Sequence, residues 1–67
     1  MIKFETEYGY VCSRNNKIET RIKKADQNYY LDLYFADTDG GLSLAIKRIK
    51  EYTRIMRIHN NENLHAN

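Results

Sequence analysis

Residues 8–35 read YGYVCSRNNKIETRIKKADQNYYLDLYF, and the way this stretch folds back on itself decides the architecture. It is rich in Tyr, Ile, Val, Thr and Phe, residues that suit a pleated surface. Asn15-Asn16 accepts the positive φ angles of a two-residue hairpin turn. Asp26-Gln27-Asn28 offers a second turn of weaker chemistry. A hairpin centred on Asn15-Asn16 sets Arg14 opposite Lys17, Cys12 opposite Glu19 and Tyr10 opposite Arg21. One centred on Asp26-Gln27 sets Ile22 opposite Leu31, Thr20 opposite Leu33 and Ile18 opposite Phe35. Directly paired residues share a face. One face then gathers Val11, Ile18, Thr20, Ile22, Leu31, Leu33 and Phe35. The other gathers Tyr8, Tyr10, Lys17, Glu19, Arg21, Lys23, Tyr30, Asp32 and Tyr34. A one-residue slip in either hairpin would undo the sorting, so the agreement predicts a three-stranded antiparallel meander.

Working outward, Ile2 and Phe4 break parity: unbroken alternation puts them on the polar face. A bulge at Gly9 would turn them to the core, and so would a break between residues 6 and 8. Beyond Phe35 the period changes. Leu42, Ala45, Ile46, Ile49, Tyr52, Thr53 and Met56 recur at steps of three and four, which predicts an amphipathic helix of about 16 residues. Thr38 or Asp39 would cap it, with Asp37 and Asp39 at its positive end and Arg54 and Arg57 at the other. The predicted class is α+β, a β-β-β-α domain over residues 1–59 with the helix lying on the apolar sheet face. Residues 60–67 are polar and aperiodic, which predicts a disordered tail.

A chain of 67 residues makes one domain and buries only about 60% of the surface its unfolded form exposes. Small domains lean on disulfides, metals or a second subunit. Cys12 is the single cysteine, so no internal disulfide forms; tight packing or a homodimer must serve instead. No apolar run of about 18 residues predicts a membrane span, and the N-terminus lacks the apolar stretch of a signal peptide. A free thiol with no export signal predicts a cytoplasmic protein. The net charge of +2 is too small to decide between partners. Abundant Asn, Ile, Lys and Tyr suits a low-GC bacterium or its phage.

Chemistry has few candidates, which predicts a protein that is not an enzyme. Cys12 faces Glu19, and a neighbouring carboxylate raises a thiol's pKa. His59 and His65 lie at or beyond the predicted helix end, and no Ser–His–Asp set with an ordered base can be drawn. Asp37-Thr38-Asp39-Gly40-Gly41 opens like a calcium loop, but Leu42 stands where the loop's sixth-position Gly belongs; helix capping is the better reading. No metal site and no cofactor are predicted.

Three surfaces remain. The polar sheet face interleaves tyrosines with cations, which suits bases stacking on rings while phosphates meet ammonium and guanidinium groups. Tyr10, Tyr30 and Tyr34 are the predicted stacking residues, Lys17, Arg21 and Lys23 the backbone contacts, with Arg14 and Lys24 on the rims. An ordinary solvated face with Asp32 paired to Arg21 is the plain alternative. Lys47, Lys50, Arg54 and Arg57 line one helix flank, where Glu51 dilutes them. Leu44, Ile55 and Ile58 project away from the main apolar stripe, roughly on the opposite side of the helix from it, as a candidate partner or dimer surface.

Tyr8-Gly9-Tyr10-Val11, Ile18-x-Thr20-x-Ile22, and Phe35-x-Asp37-Thr38 leading to Ala45 span roughly residues 8–50 in a layout that resembles the arm-binding DNA domains of integrases. Those lay a three-stranded sheet in a DNA groove with a helix behind it. Here Leu33-Tyr34 replaces their signature Trp or Gly. Gly41-Leu42-Ser43-Leu44 resembles a strand of certain dimeric single-strand binders. Both resemblances imply a nucleic-acid partner by analogy only. The expectation is therefore a non-catalytic nucleic-acid-binding module. The alternative is a small phage-type inhibitor that binds and blocks a host protein of a defence or nuclease system, using the tyrosine face or the Leu44/Ile55/Ile58 strip.

Overall fold

A computed structural model describes residues 1–65 of the chain. Four strands, β1 (Ile2–Thr6), β2 (Gly9–Arg14), β3 (Lys17–Lys23) and β4 (Tyr29–Ala36), precede one helix, α1 (Asp39–His65). The strands form a single antiparallel meander in the order β1-β2-β3-β4, and α1 packs on one face of it. The class is α+β as expected, but the sheet has four strands where the sequence predicted three.

The fourth strand resolves the parity of the N-terminus. Glu7-Tyr8 forms a turn that pairs Thr6 with Gly9. The Thr6 hydroxyl accepts the Tyr8 N–H at 3.2 Å, a side-chain turn that stands in for Gly or Asn. The chain therefore breaks between residues 6 and 9, and Gly9 is not a bulge. An irregularity does lie between Ile2 and Phe4, and it separates them: Phe4 pairs with Val11 and packs on the core, while Ile2 pairs with Cys12 on the far face and is exposed.

The β2–β3 hairpin follows the predicted register from Arg14–Lys17 to Tyr10–Arg21. Asn15 and Asn16 have φ of 52° and 60°, the mirror-image turn that matches strand twist. The β3–β4 hairpin departs from prediction. Its loop is Ala25-Asp26-Gln27: the Gln27 N–H donates to the Lys24 carbonyl at 2.9 Å, and the Lys24 N–H to the Asn28 carbonyl at 3.1 Å. Gln27 has φ 69°, the left-handed residue that ends a three-residue loop. Asp26 Oδ1 accepts the Asn28 N–H at 3.0 Å and braces it. An odd loop shifts the pairing by one, giving Lys23–Tyr29, Ile22–Tyr30 and Arg21–Leu31. One extra residue at Asp32 then restores the predicted pairs Thr20–Leu33 and Ile18–Phe35.

The core is small. Val11 and Ile18 from the sheet meet Ala45 and Ile49 from the helix, with Phe4, Ile22, Phe35, Leu42 and Ile46 around them. Thr20 and Thr53 are also buried. The two Thr6 and Thr53 hydroxyls lie 2.6 Å apart, and the Tyr52 hydroxyl donates to the Lys23 carbonyl at 3.1 Å. All seven residues of the predicted helix stripe are buried or half-buried. Gly9 lets the layers approach: a Cβ there would sit 2.8 Å from the Arg21 carbonyl oxygen and 3.1 Å from Ile49 Cδ1.

Thr38 caps the helix. Its hydroxyl accepts the Gly41 N–H at 3.0 Å. The helix has 27 residues where about 16 were predicted, and it runs to His65, into the stretch read as tail. No Pro or Gly follows Gly41, so nothing stops an established helix from propagating; residues 66 and 67 of that stretch lie outside the described residues.

Two neighbouring glycines differ in what they tolerate. A Cβ at Gly41 would fall 1.9 Å from the Ala36 carbonyl oxygen, whereas one at Gly40 meets nothing closer than Thr38 Oγ1 at 3.9 Å. Gly40→Ala should stabilise the chain by about 0.5–1 kcal/mol through helix propensity. Gly41→Ala should cost about 2 kcal/mol or more by overpacking. Urea unfolding of the two variants checks both signs.

Candidate functional site

The helix covers one face of the sheet, and among the described residues no element covers the other. Register places Ile2 and Glu5 from β1 on this open face, with Tyr10, Cys12 and Arg14 from β2 and Lys17, Glu19, Arg21 and Lys23 from β3. From β4 come Tyr29, Leu31 and Tyr34. Four cations stand against two carboxylates there, so the face is net positive.

Its centre is packed by its own side chains. Cys12 is 5% exposed and Glu19 5% exposed although no second layer covers them. Arg21 reaches back along its strand, with Nε 3.1 Å and Nη2 3.0 Å from Glu19 Oε1. This contact holds the Arg21 guanidinium above its usual pKa. Around that pair the rings and cations are interleaved. Lys17 Nζ lies 5.0 Å from the centre of the Tyr34 ring, and Lys23 Nζ 5.4 Å from that of Tyr29. The Tyr10 and Tyr29 rings meet edge to face at 4.9 Å. Tyr29, Leu31 and Tyr34 are each more than a third exposed.

The predicted site residues divide accordingly. Tyr10, Arg14, Lys17, Arg21, Lys23 and Tyr34 share the open face. Tyr30 does not: it pairs with Ile22, on the helix side of the sheet. Its hydroxyl donates to Asp26, and Lys24 Nζ lies 4.8 Å over its ring, so Tyr30 and Lys24 form a separate pair on the reverse of the hairpin. Tyr29 and Leu31 take the place that Tyr30 was expected to hold. Leu31 was expected in the core and is 40% exposed; Leu33, expected there too, is 45% exposed at the sheet edge. Tyr8 also leaves the face, since it sits in the Glu7-Tyr8 turn and its hydroxyl accepts from Asn60 of the helix. No local signal in the sequence marks Tyr29 for this face, because the loop places Gln27 in the left-handed region and the bulge is held by Arg48, far along the chain.

Asp32 is not the partner of Arg21. The bulge turns it towards α1, where its carboxylate takes a bidentate contact from Arg48, 2.8 Å to each oxygen. The Thr20 hydroxyl donates to Asp32 Oδ2 at 3.0 Å and accepts the Leu33 N–H at 3.0 Å. The Arg48 contact holds the Asp32 carboxyl below its ordinary pKa, with Thr20 helping and burial opposing. On the helix flank, Arg54 pairs with Glu51 and Arg57 with Glu7, and Lys50 lies over Phe4. Arg57 holds Glu7 down to about 2. Two of the four cations of the predicted basic stripe are thus matched by carboxylates, which weakens it as a phosphate track. Leu44, Ile55 and Ile58 are exposed, at 57%, 51% and 47%, as the sequence predicted.

Two open grooves, of about 400 Å³ beside Lys47, Lys50 and Arg54 and about 270 Å³ beside Lys24, Met56 and Asn60, border the helix. Among the described residues no three His, Cys, Asp or Glu side chains come together as a metal site. No described helix is long and apolar enough to cross a membrane. Comparison with protein-family models, with curated proteins and with solved structures gives no match.

Asp32 supplies a pH dependence. Its folded pKa lies below its unfolded value of about 3.9, so the native state binds fewer protons than the unfolded state. Its stabilisation is complete above about pH 4 and is lost as pH falls through the lowered value. Asp32→Asn should cost about 1–2 kcal/mol at neutral pH and flatten the loss of stability below pH 4. Thermal melts from pH 7 downwards compare the two proteins.

Proposed function

We propose that this chain is a non-catalytic binding module that lays its open sheet face against nucleic acid. The supporting observation is the pairing of cation with ring on that face: Lys17 with Tyr34, and Lys23 with Tyr29. Each pair offers a stacking surface for a base beside an ammonium group for its phosphate, the two contacts that sequence-tolerant binders combine. Tyr10 widens the second platform, and Arg14 flanks the face at the β2–β3 turn. Arg21 is committed to Glu19 and orders the face more than it meets phosphate.

A second reading rests on the apolar members. Ile2 and Leu31 are 54% and 40% exposed on the same face, and Leu44, Ile55 and Ile58 form a further apolar strip on the helix. A protein partner, whether a blocked target or a second copy of the chain, would use aromatic anchors in the same place.

Anisotropy titrations with labelled DNA and RNA, single-stranded and duplex, at low salt test the first reading. Binding to at least one of them is expected, with log K falling against log salt at a slope of about −2 to −3, as three or four phosphate contacts require. Lys17→Glu with Lys23→Glu should abolish it. No binding to any of these at low salt would overturn the proposal, and capture of a protein that survives nuclease treatment would favour the second reading.

A further inference from the structure

The open face differs in one respect from a sheet built to enter a duplex groove: it has a fourth strand. Strands lie about 4.8 Å apart, so the backbones of β1 and β4 are separated by about 14 Å before any side chain is added. The major groove is about 12 Å wide and admits a helix or a two-stranded ribbon. The groove wall on the β1 side would also meet Glu5, which stands on this face beside Tyr10. A carboxylate at that edge repels the phosphates a groove-binding sheet must touch.

The rings are placed for separated bases. Tyr29 and Tyr34 are five residues apart on β4, about 13 Å along the strand once a residue is taken up by the bulge at Asp32. Neighbouring bases in a duplex are held about 3.4 Å apart on each strand and their faces are covered by stacking. Both platforms can be used together only by a strand whose bases are splayed out. Residues that read base edges in a duplex are also scarce. No Asn or Gln from the strands lies on the face, Arg21 is bound to Glu19, and Lys17 and Lys23 are drawn over rings, which leaves Arg14 at the β2–β3 turn.

We infer that the open face takes single-stranded nucleic acid and discriminates against the duplex, with one base on Tyr34 and another at the Tyr10–Tyr29 pair. The inference rests on the nucleic-acid reading above and sharpens it. Lys17 and Lys23, each seated over its ring, would meet the phosphates next to those two bases. The strand would cross the sheet over Arg21 and Leu31, which lie between the platforms.

The test uses the full chain with labelled oligo(dT), oligo(U) and a blunt mixed-sequence duplex in one low-salt buffer. The chain has six tyrosines and no tryptophan, so quenching of intrinsic fluorescence reports stacking directly. At least tenfold tighter binding of a single strand than of the duplex is expected, with tyrosine quenching. Tyr34→Ala should weaken single-strand binding about tenfold and Tyr34→Phe should not; Tyr34 is 54% exposed, so neither should unfold the protein, and circular dichroism checks this. Duplex binding as tight as single-strand binding, or single-strand binding unaffected by Tyr34→Ala, would overturn this inference and leave the nucleic-acid reading standing. No binding to any of the three would overturn both.

Discussion

Asp32 turns towards the helix because a guanidinium and a hydroxyl wait for it there. Arg48 grips both carboxylate oxygens and Thr20 donates to one of them, while the Asp32 side chain keeps only 8% of its surface in water. A carboxylate so enclosed is tolerable only when paired and hydrogen-bonded. The contact ties the edge strand to the helix and fixes the bulge in β4. The bulge in turn decides which tyrosines look outward. On the loop side of it, Tyr29 and Leu31 join the open face and Tyr30 leaves; beyond it, Tyr34 stays where simple alternation puts it. A bulge also suits an edge strand for another reason, since it bends the exposed backbone away from pairing with a neighbouring chain.

Much of this architecture is legible in the sequence because burial and turn chemistry agree there. Asn15-Asn16 names its own turn type, so the β2–β3 register follows residue by residue. The helix stripe from Leu42 to Met56 has a single compatible period. Three features are hidden for physical reasons. The Glu7-Tyr8 turn has no Gly, Pro or Asn, and depends on the Thr6 side chain, so β1 and β2 read as one strand. The Ala25-Asp26-Gln27 loop needs a Gln in the left-handed region, which local preference does not favour. Its one-residue offset is then cancelled at Asp32 by contacts with a residue 16 positions away. The loop offset inverts the first half of β4, from Tyr29 to Leu31, and the bulge returns the second half to the predicted register, a change of face within one strand that a period-two pattern cannot show. Six of the eight predicted contact residues share one face; Tyr30 is lost to the inverted half of β4, and Lys24 lies on the helix side because it directly follows Lys23, which faces the other way.

The resulting molecule is asymmetric between its layers. The helix side packs a core of four buried apolar residues and a rim of five, while Leu44, Ile55 and Ile58 stay exposed on the helix itself. Such a core leaves little reserve, and the close approach at Gly9 and Gly41 is what lets it form. The other face is ordered without a covering layer. Glu19 and Arg21 lock its centre, and the lysines are drawn over tyrosine rings. Side chains ordered before contact would lose less entropy on meeting a partner, which favours the proposed use of this face over the helix flank, where the arginines are matched to Glu7 and Glu51.

The make-up of the open face depends on the pairing of β3 with the first half of β4, and nuclear Overhauser contacts across that pair test it most directly. The structure requires backbone contacts linking Arg21 with Leu31 and Ile22 with Tyr30, together with ring contacts between Tyr10 and Tyr29. Contacts linking Ile22 with Leu31 and Arg21 with Asp32 would contradict it. They would mean an unbulged strand, Tyr30 facing outward, and a different set of side chains on the open face.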